Sequence, residues 1–247
     1  MASAGCSSHG TTPSIDPSAA APFRPSLPVL LSVTGGYVDT AGFLALQGLF
    51  TAHVTGNFVT LGATLVLGTT GALAKLMALP MFCAVVVLTR LAGSALRARG
   101  RPPLVPLISV KLGLLIVAFA LAVGLGPFSN GDSWQAAATG MTLVSAMAIQ
   151  NAVHRVHLAA APPSTIVTGT TTQLMIDVAD VLYGEVQGRA ATIKRVKSLS
   201  TSLGAFAVGC ACAAFLYARV SVWCFAVPPL LAAVTLAVAR ARKPSPR

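Results

Sequence analysis

The chain has 247 residues, of which 55% are hydrophobic and only 9% charged. A soluble domain carries about 25% charged residues to make its wet surface, so this composition excludes a soluble enzyme, a disordered regulator and a coiled coil. The formal net charge of +11 would suit nucleic acid, but the basic residues fall in clusters between apolar runs, a membrane topology signal. Residues 1–26 (MASAGCSSHGTTPSIDPSAAAPFRPS) are rich in Ser, Ala and Pro without hydrophobic period, and predict a disordered tail rather than a secretory signal peptide. Apolar segments follow at 27–50, 54–71, 73–96, 104–126, 135–153, 160–183, 199–217 and 222–239. Two differ from the rest. The segment 54–71 is short and studded with Gly and Thr, and 160–183 is interrupted by Pro162-Pro163 and carries two aspartates.

Basic residues decide between eight crossings and six. If 54–71 and 160–183 re-enter and the other six cross, 13 of the 17 basic residues share one face. These are Arg24, the cluster at 97–101, Arg155, the cluster at 189–197 and the C-terminal group from Arg240. Lys75 and Arg219 lie opposite, and Arg90 and Lys111 fall inside spans. The expected fold is an all-α polytopic helical membrane protein, with about six full spans and two short re-entrant or broken helices. Residues 27–240 form one transmembrane domain with pseudo-repeat halves at about 27–126 and 135–239. The remainder, 241–247, is a basic tail, and both termini are expected in the cytoplasm.

The two unusual segments resemble each other. Placing Asp39 opposite Asn151 brings Val54-Thr55-Gly56 to Val167-Thr168-Gly169 with a one-residue gap. Three crossings per half make the repeats inverted, an arrangement that recurs in secondary transporters. GYVDTAGFLAL…HVTGN near the start and AMAIQNAVHR…VTGT in the second half also resemble the YoaK family of bacterial multi-pass inner-membrane proteins. That resemblance covers nearly everything after the tail. It implies location and fold but supplies no catalytic residues, because the family has no established activity.

Candidate site residues follow from polarity inside apolar runs. Asp39 lies near the middle of the first span, where a carboxylate must face the protein interior, pair or protonate. It suits a proton or cation site; the plainer alternative is an aspartate that caps a broken helix or bonds a neighbouring backbone group near Gly35-Gly36. Asp177 and Asp180 share a helix face, either as a site or as solvated carboxylates at the rim. Thr55, Gly56 and Asn57 open one broken helix, and Thr168, Gly169 and Thr170 open the other. Such helix starts, capped by Thr or Asn, hold oxygen ligands when they converge at the bilayer midplane. Gln150 and Asn151 either line a polar pathway or bond between helices. His154 and His157 read as a loop pair beside Arg155, and His53 as a faint signal of titration.

No P-loop, dinucleotide fingerprint or G-x-S-x-G is present, so no enzyme is expected. The five cysteines form no paired framework, and neither a metal nor a cofactor is expected. The reading is a small secondary transporter or facilitator for a small polar or charged solute in the bacterial inner membrane. The alternative is a non-transporting assembly or stress factor acting through helix packing. The expected partners are the lipid bilayer and an unknown small solute, with no nucleic acid, and a homo-oligomer is left open.

Overall fold

The computed structural model describes residues 26–165, 167–184 and 188–241, and every regular element among them is helical. The expected N-terminal tail before Ser26 and the basic tail after Ala241 lie outside the described residues. Eight α-helices follow in chain order. They are α1 (Leu27–Ala45), α2 (Asn57–Leu67), α3 (Ala72–Ala98), α4 (Leu104–Leu125), α5 (Trp134–His157), α6 (Val167–Tyr183), α7 (Arg189–Val220) and α8 (Val227–Ala241).

The local chemistry explains these limits. Pro28, in the first turn of α1, needs no helical partner for its missing N–H. After α1, Gln47 and Gly48 take positive φ of 55° and 83°, which stops the helix and turns the chain back into the molecule. Residues 49–53 are not helical, a 3-10 turn occupies Val54–Gly56, and α2 then closes at left-handed Gly68. With 11 residues, α2 is about 16 Å long, half of a hydrocarbon core of about 30 Å. It re-enters. Residues 158–165 make the corresponding irregular stretch in the second half, before α6.

Among the described residues, five helical runs are long and apolar enough to cross a membrane, and the last, Arg189–Ala241, is the run divided at Ser221. There φ is +49° and a 3-10 turn over Ser221–Ala226 separates α7 from α8. Two sets of contacts mark the ends of the bundle. At one end, Gly71 N and Leu73 N donate to the Asp132 carboxylate and Gln47 Nε2 donates to Phe128 O. At the other, Leu27, Leu107, Ile108, Val153, Leu236 and Ala239 form one apolar cluster. Thus α8 returns antiparallel to α4, and the basic residues of 97–101 and Arg240 sit at the end where α1 begins.

Two thirds of the apolar stretch is buried in both α1 and α5, against 22% in α3 and 28% in α4. The core therefore runs along α1 and α5. Leu65, Val66, Leu67, Val87, Leu88, Leu91 and Phe215 stand exposed around it, a surface suited to lipid rather than water. Trp134 and Trp223 are exposed at the Asp132 end, where interfacial tryptophans belong. The main packings are α1 on α7, α3 on α5, α4 on α5 and α8, α2 on α3, and α6 on α7.

Two details differ from the sequence expectation. The helix of the seventh segment starts at Arg189 rather than at 199, so the basic cluster is helical. His154 is buried within α5 rather than in a loop, because that helix continues to His157.

Candidate functional site

The break after α1 brings polar groups to the middle of the bundle. Irregular backbone at that depth leaves N–H and C=O groups that water cannot satisfy. Two side chains satisfy them. Asn57 turns back from the first turn of α2, accepting from Phe50 N and donating to Phe50 O, both at 2.8 Å. Asp39 Oδ1 accepts from Thr51 N at 2.8 Å and Ala52 N at 2.7 Å. The other carboxylate oxygen, Oδ2, lies 2.6 Å from His53 Nδ1. Asp39 is buried, while the His53 side chain remains 31% exposed.

That exposed edge faces a cavity of about 560 Å³. Its floor is α1 (Asp39, Thr40, Phe43, Leu44), one wall is Phe50, His53, Thr55 and Gly56, and the other is Phe206 and Cys210 of α7. The His53 ring meets Phe206 edge-on, with centroids 5.5 Å apart, and Phe43 lies 4.9 Å from Phe50. Chemically, the arrangement offers one carboxylate–imidazole pair, the hydroxyls of Thr40 and Thr55 and the Cys210 thiol inside an aromatic and aliphatic shell.

The expected site residues divide among different places. Asp39, Thr55 and Gly56 come together at this cavity. Asn57 does not cap α2 or face a ligand; its amide is consumed by Phe50, since the extended chain needs both bonds more than the helix start does. Gln150 and Asn151 tie down the irregular stretch of the second half through its side chains rather than its backbone. Asn151 Oδ1 accepts from Thr165 Oγ1 at 2.5 Å, and Gln150 Nε2 donates to Leu31 O at 2.8 Å and to Ser164 Oγ at 3.4 Å. Thr168 lines a separate groove on α6, Gly169 is exposed and Thr170 is buried, so the two VTG starts do not line a common cavity. Asp177 is fully buried and held by Arg195 Nε and Nη2 and by Gln173 Nε2, which makes it a strut between α6 and α7. Asp180 is exposed.

The structure adds groups that the sequence did not single out as sites. Lys111 of α4 is buried to 1% exposure, and its Nζ donates to Gln150 Oε1 at 2.5 Å. Phe206 and Cys210 enter the cavity through the α1–α7 crossing. A β-carbon on Gly36 would lie 2.1 Å from Phe206 O, and one on Gly209 would lie 2.2 Å from Val33 O. Glycine is what lets these helices touch backbone to backbone. No group of three or more His, Cys, Asp and Glu that could hold a metal ion occurs among the described residues.

Comparison with known proteins fits this membrane architecture. The family model described as "Protein of unknown function (DUF1275)" matches residues 27–238, all of the helical bundle but its last turn. The chain belongs to the DUF1275 family. It is also 32% identical over 176 residues to the UPF0700 transmembrane protein YoaK of Bacillus subtilis (strain 168), covering 68% of this chain and 73% of that protein. No solved structure matches. Membership in the DUF1275 family makes this an integral membrane protein of a transmembrane family, and Asp39, His53 and Thr55-Gly56 all fall within the matched region.

Proposed function

We propose that this DUF1275 protein is a small secondary transporter or facilitator for a small polar or charged solute, and not an enzyme. The observation that carries the reading is the Asp39–His53 pair at the wall of a cavity made where the chain breaks inside the bundle. An ionisable pair at that depth is costly and favours a pathway role.

An inverted repeat supports it. Exchanging α1 with α5, α2 with α6, α3 with α7 and α4 with α8 turns each main packing into another. The α1–α7 pair becomes α5–α3, α4–α5 becomes α8–α1, and α2–α3 becomes α6–α7, while α4–α8 maps onto itself. Asp39 bonding the stretch before VTG likewise matches Asn151 bonding Thr165. Two such halves rocking about the α1–α5 core would expose a site to alternate faces. In this reading the protein lies in the bacterial cytoplasmic membrane with both termini inside, following the basic residues.

The test is a stabilisation screen of the purified protein with amino acids, amines, carboxylates and inorganic ions, then flux of any hit into proteoliposomes. A ligand that binds the folded state raises its melting temperature. Saturable flux above empty liposomes, lost in Asp39→Asn, is expected. No stabilisation and no flux with any class would overturn the proposal.

A further inference from the structure

We propose that the ligand of the Asp39–His53 cavity is an organic monocation with an apolar body, reached from the bilayer rather than from water. This rests on the transporter reading above and names the substrate class. The sequence left the sign of the ligand open, because helix starts favour anions while carboxylates favour cations.

Charge comes first. Asp39, His53 and Cys210 are the ionisable residues that line the cavity, and neither Lys nor Arg does. With the imidazole neutral, Nδ1 carries its proton toward Asp39 Oδ2, which leaves Nε2 a lone pair. Nε2 has no hydrogen-bond partner among the described residues. In that state the pair carries one negative charge, which no Lys or Arg of the lining balances, and offers an acceptor. An anion would meet that charge in a poorly hydrated site, where like charges repel strongly. The helix-start argument for anions also loses force, since Asp39 itself takes the Thr51 and Ala52 N–H groups.

Shape comes second. The rings of Phe43, Phe50 and Phe206 and the side chain of Leu44 surround the pair. Aromatic faces attract cations, and they bury the apolar body that a hydrated inorganic ion lacks. A cavity of about 560 Å³ is also far larger than a metal ion needs. Access comes third. The re-entrant helix α2 packs on α3, and no comparable packing joins it to α7. The cleft between residues 50–56 and α7 is left open at its side, where Phe43 and Leu44 are 38% and 40% exposed. Exposed apolar side chains at this opening suit lipid better than water, which would give an amphiphilic cation dissolved in the bilayer a direct way in.

Tetraphenylphosphonium and tetraphenylborate have nearly the same shape and opposite charge, which makes them suitable probes. Saturable binding of each, radiolabelled, is measured on the full-length protein in lipid nanodiscs, with empty nanodiscs giving the partition background. Saturable phosphonium binding is expected, at least tenfold weaker in Asp39→Asn, with no saturable borate binding. Cys210→Arg places a guanidinium on the α7 wall and should exchange the preference, losing phosphonium and gaining borate. A gain of binding cannot come from misfolding. Equal binding of both ions, or of borate alone, overturns the monocation assignment while leaving a transport role intact. Failure of both probes, alongside stabilisation by a water-soluble solute, does the same. Failure of both with no stabilising solute removes the transporter reading as well.

Discussion

Asp39 and His53, 14 residues apart, meet side chain to side chain at 2.6 Å, and the same carboxylate receives the backbone N–H groups of Thr51 and Ala52. One oxygen thus holds the returning backbone and the other faces the His53 imidazole. The two roles separate by substitution. Asp39→Asn keeps a carbonyl oxygen for the backbone and should cost about 1 kcal/mol, the loss of charge assistance. Asp39→Ala should cost more, about 1–3 kcal/mol for each orphaned N–H. Thermal unfolding in detergent orders the variants, and an Asn variant as unstable as Ala would contradict this division of labour.

The α1–α7 crossing gives a packing prediction with its own control. Gly36→Ala and Gly209→Ala would each drive a methyl group into a facing backbone carbonyl, which cannot swing aside as a side chain tip would. Overpacking of this kind costs about 1–3 kcal/mol. Gly62 of α2 has nothing within 4 Å of its would-be β-carbon, so Gly62→Ala should be neutral or stabilising by up to about 1 kcal/mol. Melting temperatures of the three variants check the contrast. A destabilising Gly62→Ala would point to a second chain against that face.

Most of this bundle is legible in the sequence, for a physical reason. Most apolar runs are long, and Gly48, Gly68, Gly100 and Pro102-Pro103 punctuate the runs where the helices stop. Asp39 was legible too, since a carboxylate inside an apolar run demands a partner. The identity of that partner was less so: one histidine beside a VTG signals little until the chain is folded back. Phe206 and Cys210 were invisible, because their place depends on a crossing between residues about 170 positions apart. Asn57 illustrates the opposite error. Its type and position promise a helix cap, but Phe50 has two part-buried backbone groups with no other partner among the described residues. Basic residues 189–197 fall before the apolar segment that starts at 199 because charge interrupts the apolar period, yet helix propensity tolerates Lys and Arg well.

Lys111 and Gln150 make an asymmetric pair. The ammonium is buried with Gln150 Oε1 as its hydrogen-bond partner among the described residues, whereas Gln150 also bonds Leu31 O and Ser164. Lys111→Met removes a buried charge, fills the same space and should hold or raise stability. Gln150→Leu strands the buried ammonium and should cost about 3–5 kcal/mol. Unfolding of both variants and the double mutant tests this, and the double mutant should recover part of the Gln150→Leu loss. No recovery would show that the Lys111 bond contributes little.

Topology has a direct check. In a cysteine-free background, Arg189→Cys at the start of α7 should be protected from an impermeant thiol reagent in intact cells. Asn130→Cys, in the exposed loop before α5, should label. Labelling of both positions, or of Arg189→Cys alone, would break the six-crossing arrangement and with it the inverted repeat.

The two VTG glycines should behave differently. Gly56 lines the Asp39–His53 cavity, and a β-carbon there would stand 3.0 Å from the Phe50 ring that forms its wall. Its φ of −62° needs no glycine, so Gly56→Ala introduces no backbone strain. The ring must shift by a few tenths of an ångström into the space a ligand would occupy. Affinity for a cavity ligand such as tetraphenylphosphonium should fall several-fold, with a melting temperature within a few degrees of the parent. Gly169, beside Thr168, belongs to the exposed start of α6 and not to this cavity. Gly169→Ala should leave affinity unchanged, and the double mutant should match Gly56→Ala alone, as expected for sites that share no ligand. Affinity loss in Gly169→Ala, with coupling in the double mutant, would mean that the halves close on one ligand in another conformation. In that case the cavity beside Asp39 would be half of the site.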